Sequence, residues 1–211
     1  MLDVHPPHEP VHGWRDFLLH LATITLGLLI ALGLEAGVEW LHNRHIVHVA
    51  RENLRREIED NEKLVAGDRQ SIEADRKRMQ ADMTALRALR RDPNAKNLQM
   101  TLAWSWSALN NSAWNTARDT HALALMRYGA VQSYAELYAE QQIVNDAATV
   151  LINSQTRALV PMSIEENFKD AAPSEIDEAL HHCAEVVVQL QVLDNLITGL
   201  NNSYKEALRK S

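Results

Sequence analysis

A chain of 211 residues with 28 acids against 21 lysines and arginines carries a formal net charge of −7, which excludes a general nucleic-acid binder, because such proteins neutralise phosphates with an excess of cations. A lone cysteine, Cys183, excludes an internal disulfide, and seven glycines and six prolines are too few to turn a many-stranded sheet, so the expected fold is all-α.

The first sixteen residues, MLDVHPPHEPVHGWRD, form a polar tail with one basic residue, Arg15, against Asp3, Glu9 and Asp16. Residues 17–40 read as a transmembrane anchor. From Phe17 to Leu34 no residue is formally charged and only His20, Thr23 and Thr25 are polar. That run of about 27 Å matches the hydrocarbon thickness of a bilayer. Trp14 and Trp40 flank it at the spacing at which indoles anchor in headgroups. A threonine hydroxyl can bond back to its own helix, and an imidazole can sit near the interface. A cleaved signal peptide would need a basic leader and a small-residue cleavage site, and Ala31 and Gly33 run straight into Glu35 in an unbroken helical pattern. A core helix this apolar on every face would need a larger domain around it.

Several features cluster at the exit of the span. Gly33 and Gly37 form a G-x-x-x-G pair that would let two helices approach closely, with Glu35 between them. Glu35 and Glu39 share a face and can reach water at the end of the span. His42, His45 and His48 are spaced to put imidazoles on adjacent turns, yet no Cys, Asp or Glu completes an obvious tetrahedral set, so they read as interfacial and no metal or cofactor is expected. His5, His8 and His12 would lie across the membrane from them.

Residues 41–211 read as one helical bundle domain. Between Leu41 and Arg91 there is no proline, and Ile58, Val65, Ile72, Met79 and Leu86 recur every seven residues as in a coiled coil. The other seam positions, Leu54, Asn61, Asp68, Asp75, Asp82 and Leu89, are too polar for a two-stranded coil and favour a bundle edge. Pro93 in RRDPNAKN ends this arm. A second helix is expected from Leu98 to Arg118, then a turn with Thr120 as N-cap and Gly129 as stop. A third helix is expected from Ala130 to Leu159, closed by Val160–Pro161, and a fourth starts with Ser174 and Asp177 as a capping box. Ile176, Leu180, Cys183, Val187, Leu190, Ile197 and Tyr204 make the fourth helix amphipathic and place Cys183 in the core. His181 and His182 point in different directions from Cys183 and cannot form a ligand set alone. Trp104, Trp106 and Trp114 with Tyr128, Tyr134 and Tyr138 are candidates for lining a ligand pocket between helices, against the alternative that they are core.

Gly27–Asn61 (GLLIALGLEAGVEWLHNRHIVHVARENLRREIEDN) and Ser112–Gln141 (SAWNTARDTHALALMRYGAVQSYAELYAEQ), about a third of the chain, resemble a group of uncharacterised bacterial single-pass membrane proteins. The shared pattern is a Leu-Ile-Ala-Leu span, a tryptophan exit, an amphipathic arm, and a Trp-x-x-Ala segment leading into a tyrosine-rich helix. The resemblance implies a bacterial inner-membrane protein and no activity. His121 stands where that group's turn would carry glycine.

Arg44, Arg51, Arg55 and Arg56 follow the span while only Arg15 precedes it, which favours a cytoplasmic domain. There is no nucleophile elbow, phosphate loop or paired-cysteine motif. The expected function is a non-enzymatic anchored module whose partners are the bilayer and either another protein or a second copy. The alternative is an anchored sensor-like bundle that binds a small ligand between its aromatic helices.

Overall fold

The computed structural model describes residues 13–92, 106–164 and 171–210. Among them are four α-helices, α1 (Trp14–Arg91), α2 (Ser112–Asp119), α3 (Tyr128–Ile164) and α4 (Pro173–Lys210), one 3-10 turn at Ala122–Leu125, and no strand. The fold is all-α as expected. Two compact units divide the chain, Met1–Val49 and Ala50–Ser211.

In the first unit every described residue from Gly13 to His42 is exposed. The Thr23 and Thr25 hydroxyls each donate to the carbonyl four residues earlier, Leu19 and Leu21, at 2.8 Å. This is how a hydroxyl avoids being left unpaired on an apolar helix. At its far end α1 carries Arg90 and Arg91 in its last turn, where cations suit the helix dipole.

In the second unit the heptad stripe is the core. Ile58, Val65, Ile72, Met79 and Leu86 are buried together with Leu137, Val144, Ala148 and Leu151 of α3 and Ile176, Cys183, Leu190, Ile197 and Tyr204 of α4. Polar contacts fix the helix directions. Glu57 and Asn61 of α1 meet Tyr138 and Gln141 of α3, so those two helices run parallel. Arg90, Arg76 and Arg69 meet Asp177, Gln191 and Asp194 in turn, so α4 runs antiparallel to α1.

Four boundaries differ from the sequence expectation. Of the helix expected from Leu98 to Arg118, residues 98–105 lie outside the described residues, Ser112–Asp119 forms α2, and Trp106–Asn111 is not helical, because its backbone is bound by side chains of the neighbouring helices instead. Thr120 closes α2 rather than capping the next turn, its hydroxyl donating to the Thr116 carbonyl at 2.7 Å. The cap of the 3-10 turn is His121, in the left-handed conformation at φ 61°, the one non-glycine residue with positive φ among those described. That region is the natural place for glycine, the residue the resemblance implied there. Helix α3 passes through Val160–Pro161 to Ile164, since a proline removes one backbone bond without forbidding another turn. Helix α4 starts with Pro173 in its first position, and the Glu175 carboxylate accepts the Ala172 N–H at 2.6 Å. Glu175 thus makes the side-chain half of a capping box that the sequence assigned to Asp177. Asp177 pairs with Arg90 instead, Oδ1 to Nε, at 3.0 Å.

Candidate functional site

The densest polar geometry in the second unit lies where the seam of α1 turns polar. Asp68 accepts the Ser107 N–H at 3.4 Å, and Asn61 accepts the Asn110 N–H at 2.9 Å while donating to the Asn110 carbonyl at 2.7 Å. The three residue steps from Ser107 to Asn110 thus cover the seven steps from Asp68 back to Asn61. Seven helical residues rise about 10.5 Å, or about 3.5 Å per residue of the covering segment, which is the reach of a fully extended chain. Trp106–Asn111 is therefore a non-helical strap whose Ser107–Asn110 stretch runs drawn out and antiparallel along α1.

A strap without helix or sheet must find partners for its own backbone groups. The neighbouring helices supply them. Gln141 of α3 donates to the Asn110 backbone carbonyl at 2.9 Å, Asn145 accepts the Leu109 N–H at 3.3 Å, and Tyr204 of α4 donates to the Gln141 side-chain Oε1 at 2.7 Å. The Leu109 side chain is buried in the core.

Just beyond the strap, Glu57 completes the arrangement. Asn111, the N-cap of α2, makes no side-chain capping bond. The Glu57 carboxylate takes that place from across the fold, accepting the Ala113 N–H at 2.7 Å, the Trp114 N–H at 3.4 Å and the Tyr138 hydroxyl at 2.7 Å. A carboxylate there satisfies orphan donors and complements the positive end of the helix.

The electrostatics follow from burial. Asp68 is 5% exposed, one of its oxygens has no hydrogen-bond partner, and burial raises its pKa above the ordinary carboxylate range, opposed by the Ser107 N–H. Burial also raises Asp75 and Asp82, opposed in both by Arg78. The Tyr138 phenol is raised by burial and by its bond to Glu57. Burial, with the charge of Asp82, pushes the Cys183 thiol up to about 11, so this fully buried sulfur is a core atom and not an activated nucleophile.

The proposed anchor residues of the first unit stand clear of any packing, with Trp14 75%, Phe17 60%, Leu34 68% and Trp40 58% exposed. A methyl group added to Gly33 or Gly37 would meet nothing within 4 Å, so both glycines present open helix surface. His42, His45 and His48 are exposed, and among the described residues no group of three His, Cys, Asp or Glu is placed to hold a metal.

The described aromatics proposed for a pocket take different places in the fold. Trp114 stacks on Tyr138 at 5.2 Å between centroids, Trp106 packs against the core, and Tyr128 is exposed. Trp104 lies outside the described residues. Tyr134 lines a cleft of about 300 Å³ between α3 and α4, together with Glu136, Leu137, Glu140 and Glu206. The sequence reading missed Glu57, Gln141 and Tyr204 as polar partners. The signal was present in Asn61 and Asp68, since polar residues in a buried seam must find partners.

No known protein family, curated protein or solved structure matches the chain.

Proposed function

We propose that this protein is a non-enzymatic helical module held in the bacterial inner membrane by a single span, presenting its bundle to a protein partner or to a second copy of itself. One observation carries the reading. The N-terminal part of α1 contains an 18-residue window with a mean hydropathy of 2.2, none of it buried. In water such a surface would be exposed at large cost, and in a bilayer it is matched. Helix α4 also contains an apolar window, of mean hydropathy 1.2, but 33% of it is buried and its apolar face builds the core, which supports a single pass. The hydrogen bonds that tie the strap to α1 and α3 hold the connection between helices against the bundle. The arginines after the span favour a cytoplasmic domain.

Replacing Leu28 and Leu29 with lysines puts two charges in the span at about 2.5–3.5 kcal/mol each, enough to abolish insertion. The wild-type chain should stay in the membrane pellet after alkaline carbonate and the variant should not. Release of the wild-type chain by carbonate would refute the anchor. A reporter active on one side of the membrane, fused after Ser211, gives the orientation. The sensor reading retains one support, the cleft beside Tyr134. Saturable thermal stabilisation by a small molecule, lost in a Tyr134→Ala variant, would favour it.

A further inference from the structure

We infer that the face of α1 carrying Trp40 and Arg44 binds the phosphate of an anionic lipid, an inference that rests on the membrane reading above. The Arg44 guanidinium carbon lies over the Trp40 ring, 5.4 Å from its centroid. A guanidinium held over an indole by cation–π attraction spends no N–H donor on the ring, and its fork of N–H groups matches phosphate oxygens in bidentate contact.

The charges around the exit are sorted by side. At about 100° per residue, Trp40 and His48 each lie about 40° from Arg44, whereas Glu39 and Glu35 lie about 140° and 180° away. Arg44 and Trp40 therefore share one side of the helix, with Glu35 and Glu39 on the opposite side. Arg44 sits about 6 Å along the helix past Trp40. Trp40 and Leu41 are the last two in the run of exposed large apolar residues at the exit, so this step carries the guanidinium from the indole level toward the level of lipid phosphates.

The test uses the full-length chain with Trp14→Phe, reconstituted in vesicles of phosphatidylcholine and phosphatidylglycerol with bromine on one lipid or the other. Quenching of Trp40 is read against the same chain carrying Trp40→Phe as well. Brominated phosphatidylglycerol should quench with about fivefold selectivity over brominated phosphatidylcholine, the weight of one arginine near an anionic surface. The selectivity should vanish in Arg44→Gln and persist in part in Arg44→Lys. Equal quenching by the two lipids in the parent chain overturns the inference. Loss of selectivity in inorganic phosphate, but not in chloride of equal ionic strength, overturns the lipid as occupant. Absence of quenching by either lipid is the separate failure of the membrane reading itself.

Discussion

Replacing Glu57 by glutamine tests whether one carboxylate joins α1, α2 and α3. The substitution keeps size and the oxygen facing the Ala113 N–H, but it removes the charge and turns the second oxygen into an N–H₂ donor. That second oxygen accepts both the Trp114 N–H at 3.4 Å and the Tyr138 hydroxyl at 2.7 Å. The phenol can turn to accept from the new amide, whereas the Trp114 N–H faces a donor and is left unpaired. A hydrogen bond to a charged group contributes about 1.5–3 kcal/mol, and the weakened cap of α2 adds about 0.5–1 kcal/mol. The expected loss is therefore about 2–4 kcal/mol. For a bundle of this size that lowers Tm by about 5–10 °C, read by circular dichroism of the full chain in detergent. Tyr138→Phe removes one bond alone and should lose about 1 kcal/mol. In a double-mutant cycle the two losses should fall short of additivity, since they share an oxygen. A Glu57→Gln chain within about 0.5 kcal/mol of the parent would refute the carboxylate's role, because that is the range of surface substitutions without structural consequence.

Asp68→Asn should stabilise the protein at neutral pH. The pKa of Asp68 is raised in the folded state by burial, so its protonated form favours folding below the unfolded carboxylate value, and that contribution is lost as pH rises through the folded value. Asparagine keeps an acceptor for Ser107 and removes the charge, so the gain, about 1 kcal/mol, should be present at pH 7.5 and disappear near pH 4 in thermal melts. A gain independent of pH would sink the argument. His121→Gly should stabilise by about 0.5–1 kcal/mol in chemical denaturation, because glycine adopts φ 61° without the clash of a Cβ, while His121→Val should destabilise. If both variants melt like the parent, the left-handed cap carries no strain.

What the sequence made legible divides by the kind of signal. Apolar periodicity located α1, α3, α4 and the core stripe from Ile58 to Leu86, because a buried face must repeat with its helix. Of the second expected helix, residues 98–105 lie outside the described residues and Ser112–Arg118 is helical as expected, but the same signal misled from Trp106 to Asn111, where the expected helix is absent. There Leu109 is buried, but it is placed by a non-helical chain, and spacing alone cannot separate a strap anchored by one leucine from a helix with a leucine stripe. The information that decides between them sits elsewhere, in the polar residues of α1. Asn61 and Asp68 were legible as misfits in a coiled-coil seam, and the misfit is resolved when each is paired with a backbone group of a segment that has no secondary structure of its own. Their partners lie 49 and 39 residues away along the chain, beyond any local pattern. Glu57 was less legible still, because an acid one turn before Asn61 reads as surface until α2 is seen to end against it. The exit of the span was readable in full as residue types, whereas the placement of Arg44 over Trp40 depends on rotamers that spacing makes possible without selecting. Helical periodicity therefore reports which faces are buried, and the unsatisfied polar residues on those faces report where the chain between helices must lie.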